Sequence, residues 1–364
     1  MMKRAVLVGA GHAHLYTLKR ASEFARHGFE IVLIAPEPFW YSGLATGMLG
    51  GFYDPALDQI DVGKLIAPGG GRWLKDSVVA IYASENRVEL ASGGTFSYDV
   101  LSLNAGSVGV PLPGSHEQIV EIKPLSNLAR LRREIEQRSG EMCIVVAGAG
   151  PSGCEIAANL RALLSRAGRR GEVILLASGP EPLAQKTKGM REKMSSILRT
   201  QGVQLRTQAL VKWVTGNQLR LSDGSDLSFD FAVNATGLKP PSFLRQSGLP
   251  VDEDGALIVN RFLQSPGSAQ VFGGGDCIAM EGRPLDKVGV YAIREAPVLH
   301  HNLLASLRGE PLQRFQPQKN YLQILNLGDG SGLATWGRWH WHSRLAFRWK
   351  DYLDRKFLAE YRNR

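Results

Sequence analysis

Two stretches of this chain share one build, and that build leaves few folds open. Residues 3–14 read KRAVLVGAGHAH. Ala5-Val6-Leu7-Val8 is a short apolar run, rich in β-branched residues, of the kind buried in a parallel sheet. It runs into Gly9-Ala10-Gly11 and then a helical pattern from His12. A strand that ends in glycines and opens a helix suits a pyrophosphate: one glycine makes the tight turn, the next lets backbone approach phosphate, and the helix N-terminus offers free N–H groups. The third glycine of the fingerprint would fall at position 14, which is His14. The second copy is complete. Met142–Ala147 reads as a strand, Gly148-Ala149-Gly150-Pro151-Ser152-Gly153 comes next, and Glu155 stands two residues later.

The segments downstream of the two copies repeat each other as well. Short alternating strands are expected over 77–82, 87–90 and 98–104, closing on Asn104-Ala105-Gly106. After the second copy they recur over 204–213, 218–222 and 229–237, closing on Asn234-Ala235-Thr236-Gly237. An internal duplication of strand, glycine turn, helix and meander predicts two nucleotide-binding domains of one design. The fold class expected is α/β, with two Rossmann-like, three-layer ββα domains. The expected division is 1–115 and 236–325 for a split first domain, 116–235 for the second, and 326–364 for a basic, aromatic tail.

Between these landmarks the chain carries smaller signals. Leu15–His27 reads as a helix and Phe29–Ile34 as the next strand, which exits to Glu37. An acid near this strand end takes ribose hydroxyls in dinucleotide folds; a solvated loop carboxylate is the other reading. Pro38–Gly51, PFWYSGLATGMLGG, is aromatic and glycine-rich and suits either the reactive end of a ligand or core packing. It holds no Cys-x4-Cys pair. Residues 119–140 read as helical. The strand over 172–176 ends in Ala177-Ser178-Gly179 with no acid, so NADH and NADPH both stay open. Gly273-Gly274-Gly275-Asp276 ends another strand, where an Asp can bond a sugar-alcohol hydroxyl. The segment from Lys287 then opens a helix whose dipole can face an electron-rich ring.

With 44% hydrophobic and 21% charged residues, 364 residues are ample for a two-domain globular protein. Three cysteines, Cys143, Cys154 and Cys277, are too few for a disulfide scaffold and point to a reducing, cytoplasmic setting. Cys154 and Cys277 come after the two cofactor turns, yet read better as buried thiols than as a redox pair. The chain starts on its first core strand, so no cleavable leader is expected, and no run approaches the length of a spanning helix. The net charge of +9 concentrates at the end. Trp336, Trp339, Trp341 and Trp349 mingle there with Arg338, Arg344, Arg348, Lys350, Arg355, Lys356, Arg362 and Arg364. From Ser343 onward Leu345, Trp349, Tyr352, Leu353, Phe357 and Tyr361 recur at helical spacing. Such an amphipathic helix suits a membrane surface, and equally a helix packed on the body or in a homodimer. Two dinucleotide folds make nucleic acid a remote partner.

In this order, the pieces resemble the two-dinucleotide-binding-domain flavoproteins, the pyridine nucleotide-disulfide oxidoreductase family. Within it they are similar to the type II NADH dehydrogenases, and to the flavoprotein module found joined to selenide, water dikinase. That module is similar in Val8–His14, in Pro38–Gly43 and in the tryptophan- and arginine-rich tail. The resemblance implies FAD on the first domain, with Gly9 and Gly11 at its pyrophosphate, Glu37 by the ribose, Asp276 on the ribitol, and Gly289 and Val290 near the ring. It implies NAD(P)H on Gly148, Gly150 and Gly153. His14, read as a subfamily variation, completes the expected cofactor-binding set with Ser42, Gly106, Gly237 and Gly275. Glu155 matches a family glutamate that reaches toward the nicotinamide–flavin contact. Glu295 stands where type II dehydrogenases often carry glutamine by the quinone; the two glutamates are the expected catalytic acids. The implied activity is hydride transfer from NAD(P)H to FAD and electron transfer to a quinone at the membrane. A soluble, selenium-linked reductase and a redox-sensing FAD protein are the alternatives.

Overall fold

The computed structural model describes residues 2–114 and 118–362. The boundary expected at 115–116 and Arg364 of the tail lie outside these residues. Two five-stranded parallel sheets carry the architecture. The first has the order Val271–Gly273, Val100–Leu103, Arg4–Val8, Glu30–Ile34, Arg72–Leu74. The second runs Ile119–Glu121, Phe231–Asn234, Met142–Ala147, Gly171–Leu176, Val203–Arg206. In each, the strand before the glycine turn lies at the centre. Ala5, Val6, Leu7, Ile144, Val145 and Val146 are therefore fully buried, as central strands covered on both faces require.

The duplicated meanders are antiparallel three-stranded sheets, Val78–Tyr82, Arg87–Leu90, Thr95–Ser97 and Val211–Thr215, Gln218–Leu221, Asp226–Ser228. Three expectations are corrected. The helix expected over 119–140 is Ser126–Gln137, and Ile119–Glu121 pairs instead as an edge strand of the second sheet. The strand expected over 204–213 is two elements, because Val203–Arg206 closes the parallel sheet before Val211–Thr215 opens the meander. The strands expected over 98–104 and 229–237 do not close the meanders: Val100–Leu103 and Phe231–Asn234 pair in the parallel sheets, and Thr95–Ser97 and Asp226–Ser228 take their place. The helix expected from Ser343 is present, and before it Leu322–Asn326, Gly332–Trp336 and Trp339–Ser343 form an antiparallel sheet, in which Trp336 and Trp339 are cross-strand partners.

The tail helix, Arg344–Arg362, starts where it does because Ser343 Oγ accepts the Ala346 N–H at 3.0 Å, a side-chain cap of the first turn. Its inner face buries Ala346, Phe347, Leu358 and Tyr361 and one carboxylate, Asp354. Asp354 is tolerated there because both oxygens are bonded, to Tyr41 Oη at 2.8 Å and to Lys350 Nζ at 2.6 Å. Lys350 also donates to the Gly43 carbonyl. The tail helix is thus fastened to the segment 41–43, beside the first glycine turn.

Candidate functional site

The first turn is held by Asn104. A β-carbon at Gly9, whose φ is +88°, would sit 2.5 Å from the Asn104 carbonyl, and one at Gly11 2.2 Å from Asn104 Oδ1. Only glycine lets the two segments close this way. Asn104 then ties three pieces together: Oδ1 accepts the Ala13 N–H of the helix His12–Lys19 at 2.9 Å, and Nδ2 donates to the Gly274 carbonyl at 2.6 Å. The second turn repeats the device less fully. A β-carbon at Gly148 would meet the Ala235 carbonyl at 2.4 Å, and one at Gly153 would meet the Gly148 carbonyl at 1.8 Å.

Above each turn lies a cavity. The first, of about 500 Å³, is lined by Gly9, Gly11, Glu37, Ser42, Gly106, Gly275, Asp276 and Gly289. These expected residues come together from well-separated segments of chain. Glu37 accepts Ser126 Oγ at 3.1 Å, and Asp276 accepts Ser107 Oγ at 3.2 Å. The second cavity, of about 580 Å³, is lined by Gly148, Gly150, Ser178, Glu181, Lys186 and Thr236. Among the described residues a β-carbon at Gly150 would meet nothing within 4 Å, so the N-cap of the helix Pro151–Arg166 is open to a ligand. The segment Asp286-Lys287-Val288 borders the second cavity and Gly289, next in the chain, borders the first.

Six expected residues line neither cavity. His14 is fully buried and bridges helix to sheet, with Nδ1 2.7 Å from the Gly9 carbonyl and Nε2 2.8 Å from Ser102 Oγ. A carbonyl only accepts, so Nδ1 carries the proton and Nε2 accepts the serine hydroxyl. Burial keeps this imidazole neutral, pushing it down to about 4. The third-glycine position is thus a hydrogen-bonded strut, not a ligand contact. Gly153 serves helix–strand packing, Val290 packs against the core, and Gly237 is exposed, its carbonyl taking the Val110 N–H.

The two glutamates also stand apart. Glu295 lies behind the Gly275 turn, where its Oε2 accepts the Gly275 N–H at 2.6 Å. It braces Asp276 from outside the cavity. Glu155 points away from its glycine turn toward the tail, accepting the Asn326 N–H at 2.6 Å. Burial raises both carboxyls to about 7, against the lowering effects of Lys350 and Asn326 on Glu155 and of Gly275 and Lys287 on Glu295. Cys154 and Cys277 are free and buried; burial pushes the Cys277 thiol up to about 11, and Cys154 further, so neither is a thiolate nucleophile at neutral pH.

Two cavity residues escape the sequence reading. Lys123 lines the first cavity; burial lowers its ammonium and the Asp276 carboxylate opposes that. His12, directly after Gly-Ala-Gly, lines it as well. Its position on the first helical residue is the available signal, masked by the glycine register two residues on.

The donor set suits an extended dinucleotide in the first cavity: an acid at the ribose-binding strand end, a glycine turn with a helix N-terminus, a lysine, and an aspartate beyond. The sequence profile described as pyridine nucleotide-disulphide oxidoreductase matches residues 3–301. An NADH dehydrogenase-like protein of Mycobacterium tuberculosis is 26% identical over 370 residues, covering 92% of this chain and 88% of its own. A demethylphylloquinone reductase of Synechocystis is 27% identical over 364 residues, 92% and 87% of the two chains. Among solved structures, the sulfide:quinone oxidoreductase of Aquifex aeolicus superposes with a TM-score of 0.82 at 17% identity, covering 99% of this chain and 92% of that one.

Proposed function

The chain belongs to the pyridine nucleotide-disulphide oxidoreductase family, and from that premise we propose that it passes the reducing equivalents of NAD(P)H, through FAD, to a quinone-type acceptor met at a membrane surface. It is an FAD-dependent NAD(P)H dehydrogenase, and both cofactors follow from the family. Bound FAD supplies the two-electron chemistry, accepting a hydride equivalent and giving up electrons to an acceptor. The observation that carries the reading is the continuity of Asp286–Val288 with Gly289, which gives two nucleotide cavities one shared wall.

In this reading Gly9 and Gly11 hold the FAD diphosphate beside the Lys123 ammonium. Glu37 takes ribose hydroxyls, and Asp276, braced by Glu295 through Gly275, takes the ribitol. Gly148 and Gly150 hold the nicotinamide cofactor's diphosphate, and Thr236 and Lys186 border its path. Reduction of a quinone consumes one proton more than the hydride brings. Glu155, a buried carboxyl near neutrality beside Lys350, holds and releases that proton.

The membrane part rests on the outer face of the tail. Leu345, Trp349, Tyr352 and Leu353 of the helix are 40–72% exposed, and Trp339 of the adjoining sheet is 79% exposed. Arg338, Arg344, Arg348 and Lys356 are exposed among them. Among the described residues no helix is long and apolar enough to cross a membrane, so contact would be with the interface, by aromatic insertion and attraction to anionic lipid. Sedimentation with anionic vesicles tests this: the protein should pellet, and Trp339→Ser with Trp349→Ser should leave it in the supernatant. Equal pelleting of both forms removes the membrane from the account. Reoxidation of the NADH-reduced enzyme by a short-chain quinone tests the acceptor; failure to reoxidise it would leave some other electron acceptor to be found.

A further inference from the structure

The tail helix reaches the FAD cavity through a short chain of contacts. Phe357 stacks on Tyr41, with ring centroids 4.8 Å apart and planes 21° apart. Both rings lie against His12, at 5.9 Å and 5.6 Å, and Phe39 closes the other side edge-on at 4.8 Å. The Tyr41–Asp354 and Lys350–Gly43 hydrogen bonds fix this corner to the helix. On the cavity side, His12 Nε2 lies 3.6 Å from where a Gly289 β-carbon would be, and Ser42 Oγ 3.8 Å from it. His12 Nε2 thus sits where the first turn of the helix Gly289–Arg308 meets the cavity. Burial and the nearby Lys123 ammonium push the imidazole down to about 3, so it is neutral, and among the described residues no hydrogen bond contributes to that shift. A neutral imidazole offers one N–H donor and one acceptor nitrogen. FAD presents matching groups along its length: phosphate and ring carbonyl oxygens, ring nitrogens and ribityl hydroxyls.

We propose that His12 is a direct hydrogen-bonding contact for FAD, and that the tail helix, by holding the His12 ring through Phe357 and Tyr41, sets how tightly the cofactor is kept. The tail helix and the cofactor are then one linked equilibrium, since coupling between two sites is reciprocal. This goes beyond the acceptor reading and stands without it, because it uses only the FAD cavity and the docked helix.

The test dilutes the FAD-loaded enzyme into cofactor-free buffer and follows FAD release by its fluorescence, with circular dichroism confirming that each variant is folded. His12→Phe keeps the aromatic packing and removes the polar atoms; it should release FAD roughly three- to tenfold faster, the equivalent of one net hydrogen bond. His12→Gln retains a donor and an acceptor and should restore much of the slow release. Phe357→Ala should speed release in the parent enzyme and add nothing to His12→Phe. Release from His12→Phe at the parent rate overturns the contact. An equal effect of Phe357→Ala in both backgrounds overturns the route through His12.

Discussion

Asp58 closes the short 3-10 turn Pro55–Asp58 with no exposed surface, and among the described residues neither carboxylate oxygen has a hydrogen-bond partner. Burial, reinforced by Asp354 and opposed by Lys350, raises its carboxyl from 3.8 to about 8; Tyr41 faces the same corner. The folded state therefore keeps a proton that the unfolded state has lost. Stability from this group is complete below the unfolded value of 3.8 and falls as pH rises, until the folded value near 8 is passed. Between pH 5 and 7 the loss is about 1.4 kcal/mol per pH unit, or about 2.7 kcal/mol in all. At ~2.1 cal/mol/K per residue, a chain of this length loses about 1 kcal/mol per 1.3 °C, so Asp58 should lower Tm by about 3–4 °C over that interval. Asp58→Asn cannot ionise and escapes this loss. Thermal unfolding of FAD-saturated parent and variant at pH 5, 6 and 7 reads the difference directly. The variant's Tm advantage should widen by about 3–4 °C from pH 5 to pH 7. A constant difference would mean that Asp58 is an ordinary carboxylate compensated by Lys350.

His14→Ala should cost about 2–4 kcal/mol of stability in denaturant unfolding, from a cavity plus two lost hydrogen bonds, and a double cycle with Ser102→Ala should be non-additive. Gly153→Ala places a methyl 1.8 Å from the Gly148 carbonyl; its flavin should still bleach with dithionite but no longer with NADH. Glu155→Gln should keep NADH bleaching, yet flatten the part of the pH profile of quinone turnover centred near 7 where the parent changes slope, because burial puts that carboxyl there.

Much of this is legible in the chain because its signals are local. A strand, two glycines and a helix predict their own geometry, and two copies predict two parallel sheets; Val8 and Ala147 end the central strands as their patterns require. The first cavity then gathers Gly9, Glu37, Gly106, Asp276 and Gly289 because each stands at or near the end of a strand or the start of a helix of that one domain. Misreadings arise where tertiary pairing decides. Ile119–Glu121 is a strand only because Phe231–Asn234 lies beside it. The Glu155 carboxyl also meets a partner no local pattern announces, the Asn326 N–H from 171 residues away. His14 looks like a ligand when the glycine fingerprint is read by position; its pairing with Ser102, 88 residues on, is invisible in that register. The Asp354–Tyr41 bond and the route from Phe357 to His12 join chain ends in the same way.

Two nucleotide cavities that share a wall let reducing equivalents cross from a nicotinamide in one to FAD in the other. Anaerobic addition of NADH or NADPH to the yellow, FAD-loaded enzyme, followed at the flavin absorption maximum, tests it most directly. The flavin should bleach within the mixing time of a rapid-mixing spectrometer or shortly after, stoichiometrically with FAD, and should stay oxidised in Gly153→Ala. A protein that binds FAD and a reduced nicotinamide together, and whose flavin stays oxidised, would contradict it.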